Sequence, residues 1–399
     1  MPIPTPFHPR TSTLCTSLFW KEWAGCHAVR SYDTCHEREY VALRHAAGLI
    51  DVTPLFKYEV KGPDAARVLS RIMVKNVAKL RVGRVSYLCW CDDRGKVLDD
   101  GTVSRVDEDH FRVTAAEPAL AWLARRSRGY RVTVEDSTLK LGALALQGPN
   151  SRAILDELTD GAVHRLKFFR VIATRIAGCD VHVSRTGYTG DLGYEIWVGR
   201  DDALAVYDAL MSAGQAYRIL PVGLDAMDVT RIEAGFVMNG VDYFSAQHCL
   251  IESRKSTPYE LGLGWTVNLD REPFHGQAAL RAEKRRGSLW AFVGLRYDWD
   301  EYEALFDEFG LPPQVRSGAW RDPVPVYAWS GHQVGQATSG CWSPTLKANL
   351  ALASVEAAEA EIGRRLRVEV TTEFQRRRVT ATVTATPFFD PPRKRSVPS

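Results

Sequence analysis

The chain has 399 residues, 45% of them hydrophobic and 25% charged, with a formal net charge of +3. That is enough chain for two or three domains with a sizeable core. The near-balanced charge argues against a nucleic-acid or anionic-membrane binder, and no apolar run is long enough to span a bilayer. The opening Met1-Pro2-Ile3-Pro4-Thr5-Pro6 has neither the basic nor the apolar stretch of a secretory signal. Eight cysteines are scattered without a C-x-x-C pair or finger-like spacing. Reduced thiols, a cytoplasmic location and no bound metal are therefore expected.

Taken in order, residues 1 to 36 read as irregular and aromatic, and Arg38 to Leu49 as an amphipathic helix. Phe56 to Lys61 alternates as a strand. Gly62-Pro63-Asp64 is a turn that opens a helix carrying Ala65, Val68, Leu69 and Ile72. Val85 to Cys91 and Val97 to Val106 form a hairpin about Asp92-Asp93-Arg94-Gly95. Phe111 to Thr114 is a strand, Pro118 to Ser127 a helix, and Tyr130 to Asp136 a strand. Leu141 to Leu146, Gly148-Pro149-Asn150 and Ser151 to Leu158 repeat the order strand, Gly-Pro-polar turn, helix. This is a weak internal duplication of an α+β module.

A strand near Val181 to Arg185 and another over Tyr194 to Val198 flank a glycine-rich turn. Helices are predicted over Asp202 to Ala213 and Gly223 to Ala234. The charged run 282–288 reads as a linker that divides the chain into 1–285 and 286–399. Beyond it, short strands at Ala291 to Leu295, Val324 to Trp329, Gln333 to Ala337, Ala351 to Val355, Arg367 to Val370 and Val379 to Val383 predict an all-β barrel. Arg376-Arg377-Arg378 falls in a turn between two of them and reads as a solvated hairpin.

Two segments stand out chemically. Asp99-Asp100 lies within a strand, where aspartate is uncommon. Adjacent strand residues face opposite ways, so one carboxylate faces inward. An inward carboxylate is either paired with a base or held at a raised pKa for proton transfer. The second segment, Arg185-Thr186-Gly187-Tyr188-Thr189-Gly190 with Glu195 beyond it, sets a carboxylate in an apolar strand after a glycine-rich turn. Such a carboxylate can accept two N–H groups from a flat heterocycle, or be a surface Glu on a hairpin. The turn is no phosphate loop, because no Gly-Lys-Ser/Thr follows. On the helix near 230, Arg231 and Glu233 read more simply as ion-pair partners.

In order along the chain, Arg44 to Val52, Gly95 to Val103, Leu146-Gln147-Gly148-Pro149, Arg185 to Gly190 with Glu195, Thr230 to Gly235, Leu263-Gly264-Trp265-Thr266, and Thr338 to Leu346 with Pro387-Phe388 resemble the aminomethyltransferase (glycine cleavage T-protein) family. The resemblance implies an α+β fold, a three-part cloverleaf whose third part is a C-terminal all-β barrel. It implies an enzyme that transfers a one-carbon unit, aminomethyl, methylene or methyl, from a small-molecule donor to tetrahydrofolate. It places the catalytic aspartate at Asp100, and the cofactor-binding residues at Tyr87, Tyr188, Glu195, Arg231 and Trp265.

The chain also departs from the glycine-cleavage pattern. Thr53-Pro54-Leu55 stands where that enzyme has Ser-His-Met, Met227 where it has arginine, and Ala116 where it has asparagine. These changes speak against a lipoyl carrier protein as partner, and a folate-dependent demethylase of O-, S- or N-methyl compounds is the alternative enzyme reading. A non-catalytic folate-binding regulator is the reading from another class. Its branch carries a Lys-Gly-Cys-Tyr signature, which Arg185 to Gly190 lacks, and Asp100 speaks for an enzyme.

Overall fold

The structure, a computed structural model, describes residues 1–398. Three sheets carry the molecule. The first is five-stranded, in the order Arg84–Cys91, Val97–Asp107, His110–Ala115, Phe56–Lys61, Thr133–Asp136. The second is six-stranded, in the order Val171–Ile176, Cys179–Ser184, Gly193–Gly199, Leu141–Gln147, Ala47–Asp51, Ile219–Pro221. The third is a closed barrel. Its strands run Trp290–Tyr297, Ala348–Glu356, Gln333–Ser343, Val324–Tyr327, Arg365–Thr372 and Gln375–Thr384, the last pairing with the first. These are the two α+β lobes and the barrel of the expected cloverleaf. Among the described residues no helix is long and apolar enough to cross a membrane.

The two α+β lobes repeat one device. Gly62 and Gly148 both follow a strand with positive φ, 133° and 116°, and each leads into an eight-residue helix, Ala65–Ile72 and Ser151–Leu158. A Cβ at either glycine would lie 2.4 Å from the Arg131 carbonyl oxygen or 2.7 Å from that of Ala46. Only glycine fits both the dihedral and the approach. Each helix then lays its apolar face on its own sheet. Val68, Leu69 and Ile72 join Tyr58, Leu88 and Phe111, and Ile154 and Leu155 join Leu144, Leu146 and Ile196.

Several local expectations are corrected. Residues 1–36 are ordered into a helix, His8–Leu14, and a hairpin of Phe19–Trp23 with Cys26–Ser31. The helix expected over Arg38 to Leu49 is Glu37–His45, and Ala47–Asp51 is a central strand of the six-stranded sheet. The short stretch Ala46 to Ile50 is small and apolar, and its periodicity alone does not distinguish helix from strand; Gly48 is the one local signal against continuing the helix. The strand expected from Tyr130 is only Thr133–Asp136, and Val171–Ile176 and Ile219–Pro221 are additional strands.

The charged run expected as a linker is the end of a helix, Gln277–Arg286. Leu280 and Glu283 are its buried anchors, Thr257 and Ser288 donate to Glu283, and Gly287 at φ 86° stops it. Its basic last turn complements the helix dipole. The barrel strands are longer than expected, and a helix, Trp299–Asp307, packs on them. Arg376 to Arg378 begin a barrel strand instead of occupying the turn. Arg376 and Arg377 pair with Glu369 and Glu308 at the surface.

Candidate active site

Asp100 sits on the strand Val97–Asp107 opposite Cys89 of the neighbouring strand, and Tyr87 lies two residues along on the same face. The Tyr87 hydroxyl donates to Asp100 Oδ2 at 2.7 Å, and the Tyr243 hydroxyl donates to Oδ1. Burial holds the Asp100 carboxyl above the ordinary carboxylate range, while the two phenols pull it down. Tyr87 is itself pushed up by burial and by the charge of Asp100.

Asp99 is buried, and its donors differ in kind. Its Oδ2 accepts from the backbone N–H of Ala116 and Glu117, both at 2.9 Å, and its Oδ1 from Asn239 Nδ2 at 3.0 Å and the Asp100 N–H at 2.9 Å. Burial and then repulsion from Asp100 raise it. An amide N–H can only donate, so Asp99 is fixed as an acceptor. A phenol O–H can turn, so Asp100 is the carboxyl free to exchange a proton. The two titrate as a unit. The expectation that adjacent strand residues part company is only partly met. Asp99 Oδ1 also lies 3.5 Å from the Tyr243 hydroxyl, so both carboxyls reach one phenol. The hairpin register slips between Trp90 and Cys91, opposite Asp99 and Val97, and the slip bends the strand where the pair sits.

Glu195 lies on the strand Gly193–Gly199, opposite Ser184 on one side and Ala145 on the other. Its face is the inner one, shared with Ile50, Ala143, Ala145 and Trp197. The Thr186 hydroxyl donates to Glu195 Oε2, and Ser184 and Thr186 share a hydrogen bond of 2.7 Å. Burial raises the Glu195 carboxyl, and these hydroxyls oppose the rise. The glycines of the preceding turn fit round one buried amide. A Cβ on Gly187 or Gly193 would lie 2.1 or 2.2 Å from Gln147 Oε1. Gln147 Nε2 donates to the carbonyls of Thr186 and Tyr194, and its Oε1 accepts from Thr189.

Tyr188 stacks on Phe236 with ring centroids 5.5 Å apart, and its hydroxyl donates to the Val237 carbonyl. It packs with Leu55, Met227 and Val52 in one apolar cluster. Trp265 is 62% exposed and stacks on Tyr87 at 6.1 Å, with Lys75 Nζ 5.2 Å from its ring. Tyr87 and Trp265 therefore stand together at an open rim beside Asp100.

Arg231 is fully buried between Asp228 at 2.8 Å and Asp242 at 2.6 Å. Burial opposes its charge, and Asp242 and Asp228 more than offset that. Thr338 and Ser339 of the barrel donate to Asp242, and Arg321 donates to Asp228, so Arg231 ties the barrel to the α+β lobes. Its Nη2 has no hydrogen-bond partner. Glu233 pairs with Arg44 and accepts from Tyr40 at 2.6 Å, the structural role expected of it.

Sequence reasoning missed Tyr243, Asn239, Asp242 and Gln147. The first three lie in the irregular stretch after the helix Leu224–Glu233. Their only signal was a concentration of polar residues about Gly240, in Asn239-Gly240-Val241-Asp242-Tyr243.

Comparison with known proteins agrees with the two α+β lobes and the barrel. Residues 4–271 match the GCVT N-terminal domain, and residues 312–390 the glycine cleavage T-protein C-terminal barrel domain. An aminomethyltransferase of Symbiobacterium thermophilum is 35% identical over 368 residues, covering 90% of each chain. A trimethylamine-oxide aldolase of Ruegeria pomeroyi is 35% identical over 370 residues, covering 90% of this chain but 43% of its own, so the chain spans less than half of that relative. The crystal structure of glycine cleavage system aminomethyltransferase T from Bartonella henselae superposes with a TM-score of 0.83 at 24% identity, covering 98% of this chain and 99% of that one. The chain belongs to the aminomethyltransferase (glycine cleavage T-protein) family and is a one-carbon transferase.

Proposed function

We propose that this enzyme moves a one-carbon unit from a small methylated donor onto tetrahydrofolate, between Asp100, Tyr188 and Glu195. The observation that carries the reading is the environment of Asp100, a largely desolvated carboxyl whose side-chain donors are two phenols and which has no cation on it. A carboxyl so placed takes up and returns a proton without being locked by an ion pair.

The residues fit a folate. Glu195 offers a carboxylate, met by the Thr186 hydroxyl, to the N–H groups of an aminopyrimidinone. Tyr188 on Phe236, and Tyr87 on Trp265, offer flat aromatic surfaces for a fused heterocycle and an aryl ring. Arg231 has one free donor in the same neighbourhood. Bound tetrahydrofolate supplies the amine nitrogen that receives the carbon. Asp100 handles the proton at that nitrogen, or steadies positive charge on it. The Tyr188 face, with Leu55 and Met227 behind it, excludes water.

The donor follows from that apolar wall. Leu55 and Met227 belong to the same apolar cluster as Tyr188, and the backbone N–H of Ala116 is spent on Asp99. Apolar side chains at positions 55 and 227 suit a methyl-bearing small molecule better than a polar aminomethyl-lipoyl arm. The name of the Ruegeria relative, a trimethylamine-oxide aldolase, is in line with a methylated donor.

A folate-coupled assay decides between the two. Methylated amines, sulfonium compounds and aryl methyl ethers should outperform an aminomethyl-lipoyl carrier protein. Tetrahydrofolate should raise the melting temperature, since a ligand of the folded state alone stabilises it. Glu195→Gln should weaken that shift. No shift at saturating folate overturns the cofactor reading. Carrier-protein turnover above that of every methylated compound overturns the donor reading.

A further inference from the structure

The segment Phe388–Ser396 leaves the barrel and returns across the α+β lobes, where it meets the glycine-rich turn that carries Tyr188 and leads to Glu195. The contacts are specific. Arg185, fully buried, has no carboxylate partner and is spent on carbonyl oxygens. Its Nη1 donates to Leu166 at 3.0 Å. Its Nη2 reaches the carbonyls of Arg393 and Lys394 at 3.0 Å and of Ser396 at 2.7 Å.

In the other direction, Arg393 makes a two-pronged contact with Asp191, Nε to Oδ1 at 2.7 Å and Nη2 to Oδ2 at 2.8 Å, and its Nη2 also reaches the Arg44 carbonyl at 3.2 Å. Asp191 is buried beside Arg44, which donates to the Thr189 carbonyl at 2.9 Å. The Phe389 ring lies 4.3 Å from the Arg44 guanidinium, and the Phe389 N–H donates to the Glu233 carbonyl at 2.9 Å. Lys394 Nζ stands 5.2 Å from the ring of Phe236, the ring on which Tyr188 stacks. The turn is thus gripped at both ends, at Arg185 and at Asp191, by one stretch of chain from a distant part of the sequence.

We propose that Phe388–Ser396 is a strap that fixes the Tyr188 and Glu195 turn in its binding geometry, with Arg185 and Arg393 as its positioning residues. A turn with three glycines in seven residues loses much entropy when it is fixed. A binding loop ordered in advance does not draw on the ligand's binding energy for that ordering. The fork of an arginine matches a carboxylate at two points, so Arg393 fixes orientation as well as distance.

The inference rests on the folate reading for its consequence but not for its test. Amide hydrogen exchange of residues 186–193 is measured in the full chain, alongside tryptophan-fluorescence titration with (6S)-5-methyltetrahydrofolate. Arg393→Ala should raise exchange across 186–193 at least about tenfold and weaken folate about tenfold or more. Arg393→Lys should recover part of both, since one point of contact survives. Arg395→Ala is the control. Its guanidinium is half exposed, pairs with Asp390 and lies 5.9 Å from the Phe168 ring, touching no residue of 186–193, so both readings should stay at wild type. The strap is refuted if Arg393→Ala exchanges like wild type, or if Arg395→Ala loosens the turn as much. Loss of folate binding in the wild type itself refutes the cofactor reading instead, and the exchange comparison still decides the strap.

Discussion

Two desolvated carboxyl sites share the five-stranded sheet and are built in opposite ways. Glu59, on the strand Phe56–Lys61, accepts from Arg112 Nε at 2.6 Å and contacts the His110 ring at 2.5 Å. Burial pushes Glu59 up, but the His110 hydrogen bond and the charge of Arg112 outweigh it and hold the carboxyl at about 2. Asp100 is half-buried, its side-chain partners are phenols with a second carboxyl beside them, and desolvation keeps it raised. One fold has thus solved the cost of an inward carboxylate twice. The Arg112 cation and the His110 hydrogen bond hold Glu59 as an anion down to low pH, useful for holding strands together. Neutral donors that can turn leave Asp100 able to change its protonation state, which chemistry requires.

The sharpest way to break this contrast is to remove the exchangeable carboxyl. Asp100→Asn should lower kcat by about 10²–10⁴, the range for lost acid–base help. It should leave folate binding and the melting temperature close to wild type. Asp99→Asn should behave differently. It leaves the carboxyl at 100 in place but turns an amide donor toward N–H groups that need an acceptor, so it should cost about 1–3 kcal/mol of stability. With its negative neighbour gone, Asp100 should titrate lower, and the acid limb of the rate profile should move to lower pH. Equal loss of kcat in the two variants would contradict the division of roles.

The other side of the contrast is tested at Glu59. Glu59→Gln leaves Arg112 buried without its counter-charge, a change that costs about 3–5 kcal/mol in comparable pairs. Urea unfolding should show that loss while kcat per folded molecule stays at wild type. The pH dependence has a definite sign. The folded-state value, about 2, lies below the ordinary glutamate value of ~4.3. The contribution of Glu59 is therefore full above ~4.3 and drains away as the pH falls toward about 2. Wild type should lose stability through that window, and Glu59→Gln should be flatter there. Parallel curves would mean that the pair contributes nothing.

How far this was legible beforehand varies by residue. The hairpin about Asp92 to Gly95 and the strand through Asp100 follow from alternation and turn chemistry, so the acidic pair could be placed on a strand from sequence. Which of the two is exchangeable could not, because that depends on Tyr243 and on the N–H groups of Ala116 and Glu117, some 140 and 17 residues away. Glu195 was legible as a carboxylate after a glycine-rich turn, but its inward face emerges only from pairing with Ala145 and Ser184. For Arg231 the family resemblance implies a cofactor ligand, while its type and helical setting point to an ion pair; the fold displays the pair with Asp228 and Asp242. Periodicity cannot reach Asn239, Asp242, Tyr243 or Arg393, because irregular segments have none. The helix-to-strand change at Ala46 hides for the reverse reason: Ala46 to Ile50 is too short and apolar for its period to decide, and Gly48 is its one break signal.

The smallest expected effect is also the most specific. Tyr243 donates to Asp100 and lies at 3.5 Å from Asp99, so it joins the two carboxyls. Tyr243→Phe keeps the ring in its apolar cluster with Leu261 and Leu263 and removes only the hydroxyl. A donor to the charged form lowers a carboxyl's pKa, so its loss should raise that of Asp100 further. The sign is then fixed. If the ionised carboxyl is the active form, the acid limb of kcat should move to higher pH by about one unit, equivalent to roughly 1.4 kcal/mol. Turnover should fall severalfold below the limb and return to nearly wild type above it. A merely structural tyrosine would lower kcat by the same factor at every pH. That flat profile, with the limb unmoved, would show that the phenol does not tune Asp100 and that the contrast with Glu59 rests on burial alone.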